Sequence, residues 1–378
     1  MLKSLEITNF RLLERFQVRK LGRVNLIVGK NNSGKSSVLE ALRIYAGNAH
    51  RRVLQQIAIS HNERALAAEP TAVESDGALH GALPFEALFS GRRVNLTREN
   101  TITIGQIAPD PDVLTITSGW LAEMKTENSG LTKVSTRFIA HPDATHPDES
   151  LTPCLRVAKP DRVLSLIALT DLMSHFGSYR RTAGTPCSFI PTQFVSIDEL
   201  ADEWDRIALT DDQEVIKEAL RIITPEFEGL TFVRDFGSQG LQRTARVKLS
   251  TSDRPVPLNS LGDGVVRILQ LVLKLFPARG GFFLIDEFEN GLHFSVQEKV
   301  WTLLLRMAEK LDIQVFATTH SWDCIESFAR AAHANKAAEG VLFRVGQSVR
   351  TSDHGRIIAT VFDEEQLYSI TQTDVEVR

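Results

Sequence analysis

The chain has 378 residues, 43% of them apolar and 24% charged, with a net charge of −4. That balance excludes a disordered or collagen-like polymer and removes the global basic character of a non-specific nucleic-acid or membrane binder, leaving only local basic faces. Cys154, Cys187 and Cys324 form no C-x-x-C pair and no even framework, which argues against disulfides and a zinc site and for a reducing cytoplasm. The length suits two or three domains, or one large core with an inserted lid. The N-terminal residues 1–7 lack a long apolar stretch and no run approaches the length of a membrane span, so a cytoplasmic chain without a membrane partner is expected.

In chain order, residues 2–8 and 23–28 read as strands, and Val24-Asn25-Leu26-Ile27-Val28 runs straight into Gly29-Lys30-Asn31-Asn32-Ser33-Gly34-Lys35-Ser36-Ser37. From Lys35 onward Val38, Leu39, Leu42, Tyr45 and Ala46 recur at helical spacing. Residues 48–190 are the hardest to read; Thr101-Ile102-Thr103-Ile104 and Val113-Leu114-Thr115-Ile116-Thr117 suggest strands between turn-rich segments, and the polar tract 140–152 suggests an exposed loop. No heptad repeat predicts a long coiled coil there. Two capping-box patterns, Ser196-x-x-Glu199 and Thr210-x-x-Gln213, predict helix starts, the second helix stopping at Thr224-Pro225. Residues 229–236 and 244–250 look like paired strands. Ser260-Leu261-Gly262-Asp263-Gly264 then precedes a strongly apolar helix, and strand 282–286, helix 295–311 and strand 313–318 continue a β-α-β alternation that implies parallel strands in a covered sheet. The expected fold class is therefore α/β, with residues 1–50 and 240–378 forming one nucleotide-binding core and 51–239 an inserted β-rich and helical lobe.

The glycine segment matches G-x-x-x-x-G-K-[ST]. Strand, glycine loop and helix start are the context such a loop requires, because its backbone N–H groups and the helix N-terminus must converge on phosphate oxygens. Lys35 can place an ammonium between β- and γ-phosphates, Ser36 can offer its hydroxyl to Mg²⁺, and Gly29 and Gly34 permit the tight turn. Asp286, ending an apolar run, is placed to orient a Mg²⁺-bound water, and Glu287 beside it to act as base on the attacking water. Alone, that pair reads first as a solvated turn; its combination with the glycine loop favours an ATP–Mg²⁺ site. His320 follows another apolar strand, where it can sense the γ-phosphate.

Three stretches together carry a resemblance: Ser260-Leu261-Gly262-Asp263-Gly264, then Leu284-Ile285-Asp286-Glu287-Phe288-Glu289-Asn290-Gly291-Leu292-His293, then Ala317-Thr318-Thr319-His320-Ser321. With the opening Ile7-Thr8-Asn9-Phe10-Arg11 and the glycine loop, the chain resembles P-loop NTPases of the ABC-ATPase type, closest to the RecF/SMC-like and OLD (overcoming lysogenization defect) group. That resemblance implies a mixed sheet with an inserted α+β region. It makes residues Gly29, Asn31, Asn32, Ser33, Gly34, Lys35, Ser36 and Ser37 the Walker A contacts, Asp286 the Walker B magnesium ligand together with Ser36, Glu287 the catalytic acid of that motif and His320 the switch histidine. Ser260, Gly262 and Gly264 stand where the family's signature loop contacts the γ-phosphate of an opposite subunit, so an ATP-dependent homodimer is expected. Its glutamine loop has no evident counterpart, and Phe85-Glu86-Ala87-Leu88-Phe89-Ser90-Gly91-Arg92 is the nearest location. Arg11 reads either as a residue reaching the nucleotide or as a surface arginine.

Members of this group often carry a C-terminal TOPRIM nuclease domain. The 58 residues after His320 hold no Asp-x-Asp carboxylate set, so a separate effector or nuclease partner is expected, in a bacterial anti-phage defence or toxin-like setting. A RecF-like role on DNA is the alternative, with the arginine pairs Arg51-Arg52, Arg92-Arg93 and Arg180-Arg181 as candidate phosphate contacts. His141-Pro142-Asp143 and His146-Pro147-Asp148 read as a solvated turn rather than a metal site.

Overall fold

The computed structural model describes residues 1–63, 78–79, 85–96, 100–109, 112–128, 131–140, 150–169, 184–237, 240–335 and 338–362. His141, His146, Arg180 and Arg181 lie outside them, as does most of the tract 140–152.

The chain opens with a hairpin, β1 (Leu5–Phe10) and β2 (Leu13–Val18). Its tight turn places Asn9 and Arg11 at positive φ. β3 (Val24–Val28) leads through the glycine loop to α1 (Lys35–Ala46), followed by α2 (Arg51–Ser60). A short pair, β4 (Ala78–Leu79) with β5 (Val94–Asn95), precedes five strands: β6 (Thr101–Gly105), β7 (Val113–Asn128), β8 (Leu131–Ile139), β9 (Ser150–Lys159) and β10 (Arg162–Ala168). Next come β11 (Cys187–Ile190), α3 (Ile197–Ile207), α4 (Asp212–Leu220), then β12 (Phe227–Gly237), β13 (Gly240–Leu249) and β14 (Val256–Pro257). The chain continues with α5 (Asp263–Leu273), β15 (Phe282–Ile285), α6 (Phe294–Lys310), β16 (Gln314–Thr319), α7 (Trp322–Ala334), β17 (Gly340–Gln347) and β18 (Ile357–Phe362).

These strands build two large sheets. One is antiparallel, in the order β10-β9-β7-β6-β1-β2, with β8 also pairing β7. The other runs β11-β15-β16-β3-β17-β18, parallel except for its last pair. The glycine-loop strand β3 and the carboxylate strand β15 therefore share one sheet, with β16 between them. All three strands are buried on both faces, and their residues are mostly apolar. Val24, Leu26, Phe283, Ile285, Val315 and Ala317 pack into one core with α5, α6 and α7, while Ile27, Phe282, Leu284 and Phe316 pack into a second core with α1 and the antiparallel sheet. Alternate residues of each strand thus serve opposite cores. This is the α/β P-loop architecture the sequence predicts.

Within the segment 51–239, β6–β10 continue the sheet begun by the β1–β2 hairpin, and β11 borders β15 in the parallel sheet. One helix-start expectation needs correction. Thr210 caps no helix; its hydroxyl donates back to the Ile207 carbonyl at 2.6 Å, and α4 starts after Asp211 without a side-chain cap. Ser196 does cap α3, accepting the Glu199 N–H at 3.2 Å.

Arg11 is neither on the surface nor at the glycine loop. Its buried guanidinium pairs with Glu40 of α1 at 2.6 Å and takes both oxygens of Glu63 at 3.0 and 3.1 Å. It pins the hairpin turn to α1 and to the end of α2, and His61 joins through its own bond to Glu40.

Candidate functional site

The site lies along the C-terminal edge of the parallel sheet, where loops leaving neighbouring strands meet. The loop after β3 depends on glycine at both ends. Gly29 has φ 153°, and a Cβ there would stand 2.3 Å from the Val345 carbonyl oxygen and 2.7 Å from Ser33 Oγ. Gly34 has φ 100° and opens α1 without a side-chain cap, which leaves the first helical N–H groups directed at the loop. Asn31, Asn32 and Ser36 are exposed, while Ser37 and Lys35 are half-buried. Lys35 Nζ donates to the Gly29 and Lys30 carbonyls at 2.6 and 3.0 Å. Burial lowers its pKa, and Asp286, Glu287 and Glu289 pull in the opposite direction. Those three carboxylates thus face the ammonium, joining the β3 loop to the β15 loop electrostatically.

Asp286 leaves β15 with its backbone N–H on the Ile190 carbonyl at 2.9 Å. Its Oδ1 accepts the Thr318 hydroxyl at 2.6 Å and its Oδ2 the Thr192 hydroxyl at 3.3 Å, so strands on both sides orient one carboxylate. Glu287 adopts φ 48°, a left-handed conformation unusual for a glutamate. Two contacts hold it there: its N–H donates to Thr318 Oγ1 at 2.9 Å, and its carbonyl accepts from Arg267 Nη2 at 2.8 Å. The next residue, Phe288, is fully buried and stacked on Trp301 with ring centroids 3.7 Å apart, which anchors the loop. His320 follows β16. Its N–H donates to Glu289 Oε1 at 3.0 Å, and its Nδ1 lies 3.3 Å from that oxygen and 3.8 Å from Glu287 Oε1.

Ser33 Oγ is buried and has no hydrogen-bond partner among the described residues. An unsatisfied hydroxyl in a glycine loop, beside a lysine ammonium and a helix N-terminus, fits a phosphate ligand. Asp286 and the exposed hydroxyl of Ser36 on α1 are hard oxygen donors of the kind Mg²⁺ prefers.

The signature-like segment forms a short 3₁₀ turn, Leu258–Leu261, followed by Gly262 at φ 91° and the start of α5. Ser260, Gly262 and Asp263 are exposed, and Ser260 Oγ donates to the Pro257 carbonyl at 2.6 Å. Gly264 lies against the loop after Asp286: a Cβ there would approach the Gly291 carbonyl oxygen to 3.1 Å. His293 caps α6 through Ser295. Among the described residues no hydrogen bond or ion pair joins Ser260, Gly262 or Gly264 to the glycine loop of their own chain. The structure therefore gathers Lys35, Asp286, Glu287 and His320 and leaves the signature segment facing outward.

Several residues escaped the sequence reading. Thr318 precedes His320 in an apolar strand, where a fully buried hydroxyl is itself a signal. Arg267 interrupts the apolar run Val265-Val266-Arg267-Ile268-Leu269. The strand bordering β15 is β11, so the loop beside Asp286 is Pro191-Thr192-Gln193, with Asn290 Nδ2 donating to the Thr192 carbonyl at 2.5 Å. It contains a glutamine, Gln193. Residues 85–92 instead form 3₁₀ turns, with Phe89 bridging Phe10 of the antiparallel sheet.

Replacing Thr318 by valine keeps volume but strips the hydroxyl from Asp286 and the Glu287 N–H. Stability should fall by about 1–3 kcal/mol and turnover by at least about tenfold. Denaturant unfolding and steady-state phosphate release check both; unchanged turnover would remove Thr318 from the site.

Residues 1–90 match a family model described as "AAA ATPase domain", and residues 189–323 one described as "AAA domain, putative AbiEii toxin, Type IV TA system". An "ATP/GTP phosphatase" of Helicobacter pylori is 24% identical over 345 residues, covering 86% of this chain and 87% of that protein. Both matched models describe ATPase domains, and with the glycine loop they support a nucleotide hydrolase. The first matched stretch carries the glycine loop, and the second carries Thr192, Ser260–Gly264, Asp286, Glu287 and His320. An uncharacterized protein of Methanocaldococcus jannaschii, MJECL10, is 44% identical over 45 residues, covering 12% of this chain and 20% of that protein. Among solved structures, an SMC head bound to the C-winged helix domain of ScpA covers 99% of both chains at 14% identity and TM-score 0.47, and the SMC head domain from Thermotoga maritima covers 96% of this chain and 98% of that one at 14% identity and TM-score 0.42. Among the described residues no helix is long and apolar enough to cross a membrane.

Proposed function

We propose that this ATPase is an ATP-dependent dimerisation switch whose site is completed by the signature segment of a second copy. The observation that carries this reading is the outward-facing start of α5. Ser260, Gly262 and Asp263 are exposed at a helix N-terminus built for an anion, yet nothing of their own chain's glycine loop meets them. Within one protomer, Lys35 and the α1 N-terminus bind phosphate oxygens, and Glu287 accepts a proton from the attacking water. His320, held by Glu289, orients toward the same region. Mg²⁺ held by Ser36 and Asp286 would supply Lewis-acid charge stabilisation at the phosphates. Nucleotide that binds only the paired state shifts the monomer–dimer equilibrium, and hydrolysis releases it.

The setting we assign is a bacterial anti-phage defence or toxin-like system in which a separate effector or nuclease chain reads the switch. The toxin–antitoxin wording of the family model matched by residues 189–323 supports it. The test is the sedimentation mass of the Glu287→Gln protein with and without Mg²⁺ and ATP. A doubled mass with ATP is expected; a nucleotide-saturated monomer contradicts the switch.

A further inference from the structure

We infer that Arg267 is a positioning residue for hydrolysis, tying the helix of the signature segment to the backbone of Glu287 and to the loop after β11. The inference rests on the reading of Glu287 as the base.

Arg267 is fully buried on α5, and among the described residues it makes no ion pair. A buried guanidinium with no carboxylate in direct contact is costly. What Arg267 holds instead is backbone. Nη1 donates to the Pro191 carbonyl at 3.2 Å, and Nη2 donates to the Asp286 and Glu287 carbonyls at 3.0 and 2.8 Å. One planar fork therefore joins three elements: α5, the loop leaving β11 and the loop leaving β15.

The grip on Glu287 has a geometric consequence. With φ 48° its peptide is held in an uncommon conformation from both ends, by Thr318 at the N–H and by Arg267 at the carbonyl. The carboxylate itself remains accessible at 36% exposure. Burial lowers the Arg267 pKa to about 10, against the opposing pull of Glu289, Asp286 and Glu287, so the group stays cationic near neutral pH. Its charge thereby also offsets the mutual repulsion of three clustered carboxylates. Because α5 begins at Asp263, just after Gly262, a shift of that helix on engaging a second copy moves the guanidinium, and with it the carbonyls of Glu287 and Pro191. The signature segment of a chain is in this way linked to the glutamate of the same chain, and so to the other composite site of a dimer. Lysine cannot substitute, since a single ammonium lacks the fork that spans three carbonyls.

Two variants test this, Arg267→Lys and Arg267→Met; the second replaces the buried charge with an apolar side chain and folds where an unpaired lysine does not. Single-turnover hydrolysis is measured per nucleotide-binding site, with ATP affinity and thermal midpoint alongside. The rate is expected to fall about 10- to 100-fold, while ATP affinity stays within about threefold. In the Glu287→Gln background the same substitutions should add less than about a twofold loss, because Arg267 acts through that residue. Wild-type rates per site in both variants, even with a lowered thermal midpoint, would reduce Arg267 to a structural group and overturn the inference. So would a full additional loss in the Glu287→Gln background. If Glu287→Gln itself turns over normally, the base reading fails and takes this role with it; if Glu287→Gln is inactive and Arg267→Lys is not, only the present inference falls.

Discussion

Glu287→Gln is expected to bind ATP within about threefold of the natural chain while hydrolysing it about 100- to 10,000-fold more slowly. The substitution keeps the shape of the side chain and leaves intact the two backbone bonds, from Thr318 and Arg267, that hold residue 287 in place. What it removes is the only feature a base requires, an acceptor able to take a proton from water. Asp286 cannot replace it, because both of its oxygens are already engaged by Thr318 and Thr192 and it faces Lys35 from the strand end. His320 lies close, but its Nδ1 is directed at Glu289. Phosphate release under saturating ATP gives the rate, and equilibrium binding of a fluorescent analogue gives the affinity. Normal turnover would show that the base lies elsewhere.

Lys35→Ala should weaken nucleotide binding by about 100-fold or more, equivalent to about 3 kcal/mol. The loss has two parts. The ammonium supplies charge-assisted hydrogen bonds to phosphate oxygens, and it is the cation that faces Asp286, Glu287 and Glu289 from the glycine loop. Without it, an incoming polyphosphate meets three carboxylates whose repulsion is no longer screened from that side. The fold should survive, because Lys35 is half-buried and among the described residues bonds only to the Gly29 and Lys30 carbonyls of its own loop. Thermal denaturation close to that of the natural chain, with binding lost, is therefore the expected pair of results. Wild-type affinity would remove the glycine loop from the account.

The parts legible in the sequence share a physical cause. β3, β15 and β16 are buried on both faces, so they are mostly apolar and end at polar site residues. The β3–loop–α1 unit carries its own signal in glycines that its backbone requires. Pairing between distant segments has no such local mark. The residues that join β1 to β6 lie far apart in the chain, and β11 is a four-residue strand whose place beside β15 follows only from the completed sheet. For the same reason nothing in the sequence marks Thr192 and Gln193 as neighbours of Asp286. Arg11 shows the limit of reading one side chain at a time: its partners Glu40 and Glu63 sit on α1 and just beyond α2. The failed cap at Thr210 shows that a pattern four residues long is easily outbid by one nearby carbonyl.

The central claim, that each site takes its glycine loop from one copy and its signature segment from another, is tested most directly by mixing two inactive proteins. Lys35→Ala lacks a working glycine loop but keeps its signature segment. Ser260→Glu places a carboxylate on the exposed signature turn and keeps its glycine loop. Each alone should hydrolyse little ATP. Mixed in equal amounts they should form heterodimers with one intact composite site and recover about a quarter of the natural rate, since about half of random pairs are heterodimers. A mixture no more active than the sum of its separate components, at concentrations where the natural chain dimerises, would contradict a shared site.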